Sequence, residues 1–150
     1  MKHLRQYIRK MLLNESENIS SFTMDMRKYF DESSFTLSDS RNTYAPLKGR
    51  KHFPDECSVL LYLQGEADDR SDVYIHSIET KGGGACFQKG YASAVFKQIC
   101  DTASRHNLTL SLEIQPMGDV PYEVLERFYK NFGFEYISKT SHNTDMIRKP

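Results

Sequence analysis

A chain of 150 residues with 39% hydrophobic side chains is long enough for one well-formed core and short for two, so a single domain spanning 1–150 is expected. Its 20 basic and 20 acidic side chains cancel, which removes any whole-molecule field drawing it to nucleic acid or anionic lipid. No apolar run approaches the roughly 18 residues of a membrane span, and the N-terminus lacks a signal-peptide apolar stretch, so a soluble, cytoplasmic protein is expected.

Residues 1–13, MKHLRQYIRKMLL, set Leu4, Tyr7, Ile8, Met11 and Leu12 on one helical stripe, with Lys2, Arg5, Arg9 and Lys10 mostly elsewhere. This predicts a basic amphipathic helix over 1–14 that docks on the core, or else on a partner or a membrane surface. After a polar stretch at 14–18, SFTMDMRKYF and SSFTLSDS alternate around DESS and predict a hairpin. Residues 39–56, DSRNTYAPLKGRKHFPDE, show no period and carry two prolines, predicting a long loop.

CSVLLYLQG and DVYIHSIET, separated by EADDRS, predict an antiparallel strand pair. Next comes GGG, followed by a helix marked by Ala92, Val95, Phe96, Ile99 and Ala103 that should end near His106 and Asn107. LTLSLEIQP predicts a strand with Leu108, Leu110, Leu112 and Ile114 on one face. PYEVLERFYKNFGF predicts a helix from Pro121 to a stop at Gly133, and FEYIS and TDMIRK predict closing strands. There is no internal repeat.

The three cysteines, Cys57, Cys86 and Cys100, have neither CxxC nor Cys/His ligand spacing, and their odd number fits a reducing compartment. Neither a disulfide nor a metal site is expected, and Cys86 and Cys100 read as small packing residues. The RKHF cluster at 50–53 reads as a solvated positive patch rather than a nucleic-acid platform.

The stretch GACFQKGYASAVFKQ at 84–98 runs from glycine and alanine straight into a helix. Such a turn offers unpaired backbone N–H groups and the positive end of the helix dipole, which suits a phosphate or pyrophosphate. Neither GxxxxGK[ST] nor GxGxxG occurs, so P-loop and Rossmann readings lose their support.

FQKGYA at 87–92 and FYKNFGF at 128–134, with LTLSLEI between them, resemble the GNAT N-acetyltransferase superfamily over 72–137. In that family a strand leads into a [RQ]xxGx[GA] turn and helix, then a strand, then a helix ending in YxxxGF. Phe87 stands where the family carries Arg or Gln. The resemblance implies an α/β (α+β) fold with a mixed, mostly antiparallel twisted sheet flanked by helices, and acetyl-CoA as cofactor. Backbone around Phe87, Gln88, Lys89, Gly90, Tyr91, Ala92 and Ser93 would hold the pyrophosphate. Main-chain groups at Ile78, Glu79 and Thr80 would take the pantetheine arm.

The same resemblance implies direct attack by a primary amine, with Tyr129 returning a proton to the thiolate; without it, Tyr129 reads as a packing aromatic. Acetyl transfer also needs a base. Asp72, His76 and Glu79 lie on or beside one strand and Glu113 on another. His76 and Glu79 point to opposite faces, His76 titrates nearest neutrality, and Glu113 faces solvent or cleft.

The amine acceptor, small molecule or protein, would be chosen by residues before Cys57 and by YISKTSHNT. Acidic DES (31–33) and EADDR (66–70) either attract a cationic amine or are merely solvated. MKHLRQYIRKMLLNE also resembles leaders of large tailed bacteriophage proteins that are trimmed after a hydrophobic-x-Glu sequence, here Leu13-Asn14-Glu15. That would put the protein in a host cytoplasm or a virion. Two alternatives stay open: a non-catalytic interaction module of the same fold that senses CoA or inhibits a host protein, and an α/β domain without a CoA site. The oligomeric state is open as well.

Overall fold

The computed structural model describes residues 2–34, 46–68, 71–116, 120–137 and 144–150. A long helix, α1 (Lys2–Tyr29), opens the chain. It passes unbroken through the polar 14–18 stretch and takes in SFTMDMRKY, so the expected first strand of a hairpin is helix instead. Phe22 and Met26 are buried while Met24 is 59% exposed, the outcome of a 3.6-residue period rather than alternation. Phe30, just past the helix, is buried with them. On the expected docking stripe Leu4 and Ile8 are 59% and 46% exposed, whereas Phe22 and Met26 of the C-terminal half lie in the core.

Strand β1 (Glu32–Ser34) follows, then β2 (Pro46–His52) inside the region expected to be a loop. The inward positions of β2 are Leu47 and Gly49; the second has no side chain, which is why no apolar alternation shows. Its small size is needed, because a Cβ on Gly49 would lie 2.4 Å from the Phe30 ring. Arg50 pairs with Glu32 at 3.6 Å and Lys51 with Asp31 at 3.5 Å, so the basic cluster of β2 is matched by the acids of 31–33. The remainder of the expected loop, 39–45, the tip of EADDRS at 69–70 and the 138–143 turn lie outside the described residues.

Strands β3 (Ser58–Asp68) and β4 (Ser71–Lys81) form the expected antiparallel pair. A short 3-10 helix (Gly84–Gln88) leads to α2 (Tyr91–Arg105), after which β5 (Leu110–Glu113), α3 (Tyr122–Asn131), β6 (Glu135–Tyr136) and β7 (Asp145–Arg148) complete the chain. The strands make one mixed, open sheet in the order β1-β2-β3-β4-β5-β7-β6, with β4 and β5 parallel and the other pairs antiparallel. The fold is therefore α+β, an open mixed sheet flanked by helices. As the alternation predicts, Leu108, Leu110, Leu112 and Ile114 are all buried. Gly133, at φ +91°, follows α3 where the sequence expects its stop.

Phe96 of α2 is fully buried beneath Phe128, Tyr129, Phe132 and Phe134, at ring-centroid distances of 4.9–5.6 Å. This cluster fastens α3 to α2. At its other end α2 meets α1, where His106 Nε2 and Asp25 Oδ2 are 2.6 Å apart. No helix among the described residues is long and apolar enough to cross a membrane.

Cys57 and Cys86 form a disulfide, against expectation. They are 29 residues apart in sequence, and the β3–β4 hairpin brings their Cα atoms to 5.6 Å; spacing alone does not reveal such a pairing. In the chain-entropy picture, closing a loop of that size stabilises the fold by roughly 3–4 kcal/mol. Cysteine number thus gives no ground for assigning a reducing compartment. Cys100 is free and buried, a packing residue as expected.

Candidate functional site

The site arises where the sheet stops being a sheet. Tyr62 is opposite Ser77 and Leu63 is opposite Ile75, so His76 is an extra residue in β4, a bulge. At the same point β4 leaves its other neighbour. Its pairing with β5 runs only from Val73–Leu110 to Ile75–Leu112. Beyond Ile75, β4 continues to Lys81 beside β3 alone, and the gap on the β5 side opens into a cavity of about 420 Å³. Bulges bend and twist a strand, which fits parting at this residue.

Much of what the sequence singles out is brought together here. Ile78, Glu79 and Thr80 line the cavity from β4, Phe87 from the 3-10 helix, and His76, Glu113 and Tyr129 also line it. Gln88, Lys89, Gly90, Tyr91, Ala92 and Ser93 are not among its lining residues; they form the turn and first helical positions beside Phe87. Four lining residues escaped the sequence reading: Ser77, Gln115, Val120 and Leu125. Leu125 is one helical turn before Tyr129, and Gln115 continues the alternation of Glu113, so both were legible once their neighbours were chosen.

The polar groups of the cleft are largely committed. Glu79 pairs with Lys81 at 2.7 Å. Glu113 accepts hydrogen bonds from Gln115 Nε2 at 3.1 Å and from the Thr144 hydroxyl at 3.3 Å. Asp72, the remaining carboxylate considered as a base, accepts the Thr109 backbone N–H at 2.8 Å and serves the β4–β5 junction. His76 is exposed beside Tyr62 and Tyr74. The Tyr129 ring packs on Phe96 and Phe128, and burial pushes its phenol up from the ordinary tyrosine value. A phenol so shifted is a poorer acid and stays a hydrogen-bonding group at neutral pH.

At the head of α2, Gly90 is left-handed with φ +74°, and the first helical bond runs from Ala94 N–H to the Gly90 carbonyl. The N–H groups of Tyr91, Ala92 and Ser93 therefore have no partner within the helix, and no side chain caps them. Lys89 is turned to Asp55 at 3.0 Å, an ion pair that raises the lysine from its ordinary value through that hydrogen bond. Among the described residues no cluster of His, Cys, Asp or Glu could hold a metal.

No family model matches the chain. No curated protein matches it either. Among solved structures it is similar to the anti-CRISPR protein AcrVA5, with a TM-score of 0.47 and 19% identity over 67% of this chain and 96% of that one. A likeness of that size carries no function across.

The assignment to the N-acetyltransferase superfamily is corrected on these findings: neither a family model nor a curated protein supports it. The transfer reaction goes with it, and so does the need for a proton-donor role of Tyr129 and base roles of His76 and Glu113. The fold accounts for the two motifs by itself. Phe128, Phe132 and Phe134 are the aromatic packing around Phe96, Gly133 ends α3, and Gly90 supplies the left-handed step into α2. The second motif is thus aromatic packing, and the glycine of the first is a backbone requirement of the turn into α2.

Proposed function

We propose that this chain is a non-catalytic binding module whose splayed cleft takes a coenzyme A-type ligand through its pantetheine arm. The observation that carries the reading is the parting of β4 from β5 at Ile75, which leaves the backbone of His76–Thr80 beside a cavity of about 420 Å³. An extended arm with amide groups can add to such an edge as a strand would, its main-chain-like hydrogen bonds giving affinity. Ile78, Phe87, Val120 and Leu125 supply apolar wall, and Tyr129 supplies a ring with a protonated hydroxyl. The amides at Tyr91–Ser93, which have no partner within the helix, favour the diphosphate end, consistent with the helix dipole. Glu79 and Glu113 add carboxylates to the lining, and the partner proposed there is amine-bearing.

The test is a thermal melt of the whole chain with acetyl-CoA, and with the adenosine bisphosphate that lacks the arm. Ligand at 100 times Kd contributes about 2.7 kcal/mol to native stability. We expect acetyl-CoA to raise the melting temperature by several degrees and the arm-less nucleotide to raise it much less. No rise at millimolar acetyl-CoA would sink the reading. Release of free thiol above background in the presence of a panel of primary amines would overturn its non-catalytic part.

A further inference from the structure

The β2–β3 turn and the segment before α2 are fastened to each other three times. Cys57 is joined to Cys86, Lys89 Nζ lies 3.0 Å from Asp55, and the Phe53 and Tyr91 rings stack at 4.2 Å. The first turn is wound tightly. Phe53 N–H donates to the Cys57 carbonyl at 2.8 Å, and Asp55 and Glu56 both sit in the left-handed region at φ +62° and +60°. The second segment is pressed against it. A Cβ on Gly82 would lie 2.6 Å from Cys86 Sγ and 3.1 Å from the Glu56 carbonyl oxygen, so only glycine permits the approach. Gly83 and Gly84 have open space around them, and the Cys86 N–H donates to the Gly83 carbonyl at 2.9 Å.

Phe87, next to the bonded cysteine, is 64% exposed and lines the cleft. The covalent tie therefore holds the rim of the candidate site. We propose that the Cys57–Cys86 disulfide is a redox-reversible clasp: its reduction by a dithiol loosens residues 82–90 and weakens ligand binding at the cleft. The binding half of this inference rests on the function proposed above. In the reduction one thiol of the dithiol attacks a sulfur of the disulfide and its second thiol resolves the mixed disulfide. Two electrons and two protons pass to the protein, giving Cys57 and Cys86 thiols and a disulfide in the reductant.

Both cysteines are buried, so the reductant reaches them when the exposed, left-handed Asp55–Glu56 turn opens. With the bond broken, an exposed ion pair and one ring stack are the ties that remain. The third cysteine does not interfere. Burial pushes the Cys100 thiol up to about 11, so it supplies little thiolate to reshuffle the bond.

The experiment compares the oxidised full chain, the same chain after dithiothreitol, and the Cys57→Ser, Cys86→Ser double variant, with reduction verified by thiol titration in denaturant. Two quantities are read: amide hydrogen exchange of 82–90, and the affinity for acetyl-CoA. We expect exchange in 82–90 to speed up at least tenfold on reduction while β3 and the body of α2 keep their protection, and affinity to fall severalfold, with both changes reversed by reoxidation. The double variant should behave as the reduced chain and ignore dithiothreitol. Unchanged exchange in fully reduced protein overturns the clasp, as does faster exchange with undiminished affinity. If acetyl-CoA binds neither form, the ligand reading fails, and exchange alone then decides the clasp.

Discussion

On its β3 side β4 is matched from Lys81–Ser58 to Ser71–Asp68; on its β5 side it is matched only from Val73 to Ile75. The same strand is thus half of a closed hairpin and half of an open cleft. The closed side sits over Val59, Leu61 and Leu63, all buried, whereas the open side presents residues that are mostly half-buried or exposed. The cleft is thus built on a strand already secured by its other neighbour. A strand can give up hydrogen bonds along one edge and keep its place if the other edge and its apolar face are satisfied.

Four substitutions break or sharpen this comparison. Phe96→Ala empties the centre of the aromatic cluster that both halves share. It should cost about 3–5 kcal/mol, read as the urea midpoint times the slope, and a loss under 1 kcal/mol would mean that α3 is not held through Phe96.

Gly49→Ala and Gly90→Ala separate the closed half from the open one. At Gly49 the added methyl meets the Phe30 ring, itself in the core, so overpacking should cost about 1–3 kcal/mol. At Gly90 nothing lies within 4 Å, and the cost is the left-handed backbone alone, about 1–2 kcal/mol. Equilibrium denaturation that ranked Gly90→Ala well above Gly49→Ala would reverse the assignment of tight and open regions.

The smallest effect concerns the seam between α1 and α2. The hydrogen bond from His106, followed by its charge and that of Arg105, holds the Asp25 carboxyl below the ordinary carboxylate range. A carboxylate whose folded value is depressed contributes stability above its unfolded value, near 3.9, and loses it as pH falls through the folded value. Asp25→Asn should therefore flatten the fall in melting temperature between about pH 5 and pH 2. Identical acid limbs in the two proteins would show that the pair does not fasten α1.

Much of this architecture was legible in the sequence, for reasons that can be located. Strands β3, β4 and β5 carry apolar side chains at alternate positions, and α2 and α3 carry them at helical spacing with Gly133 as a stop, so period alone identifies them. The misreadings share a cause. Phe22, Met24 and Met26 fit alternation, yet positions four apart are common to strand and helix, and the exposed Met24 shows which period applies. In β2 the inward position is a glycine, and a missing side chain leaves no mark on a hydropathy pattern. Within the site, Ile78, Glu79, Thr80 and Phe87 were found through the resemblance even though its functional meaning did not survive. The Cys57–Cys86 bond escaped because it is a fact of tertiary proximity.

The bulge at His76 has a consequence for how such a cleft is written into a chain. Remove that one residue and Ser77 still lies opposite Tyr62 and Ile78 opposite Leu61, so the side chains keep their faces while the match through Tyr62 and Leu63 becomes regular. The opening then coincides with one inserted residue, which stands where the pairing of β4 with β5 ends. Side chains along that stretch can drift in chemistry and leave the opening where it is; a single-codon deletion cannot.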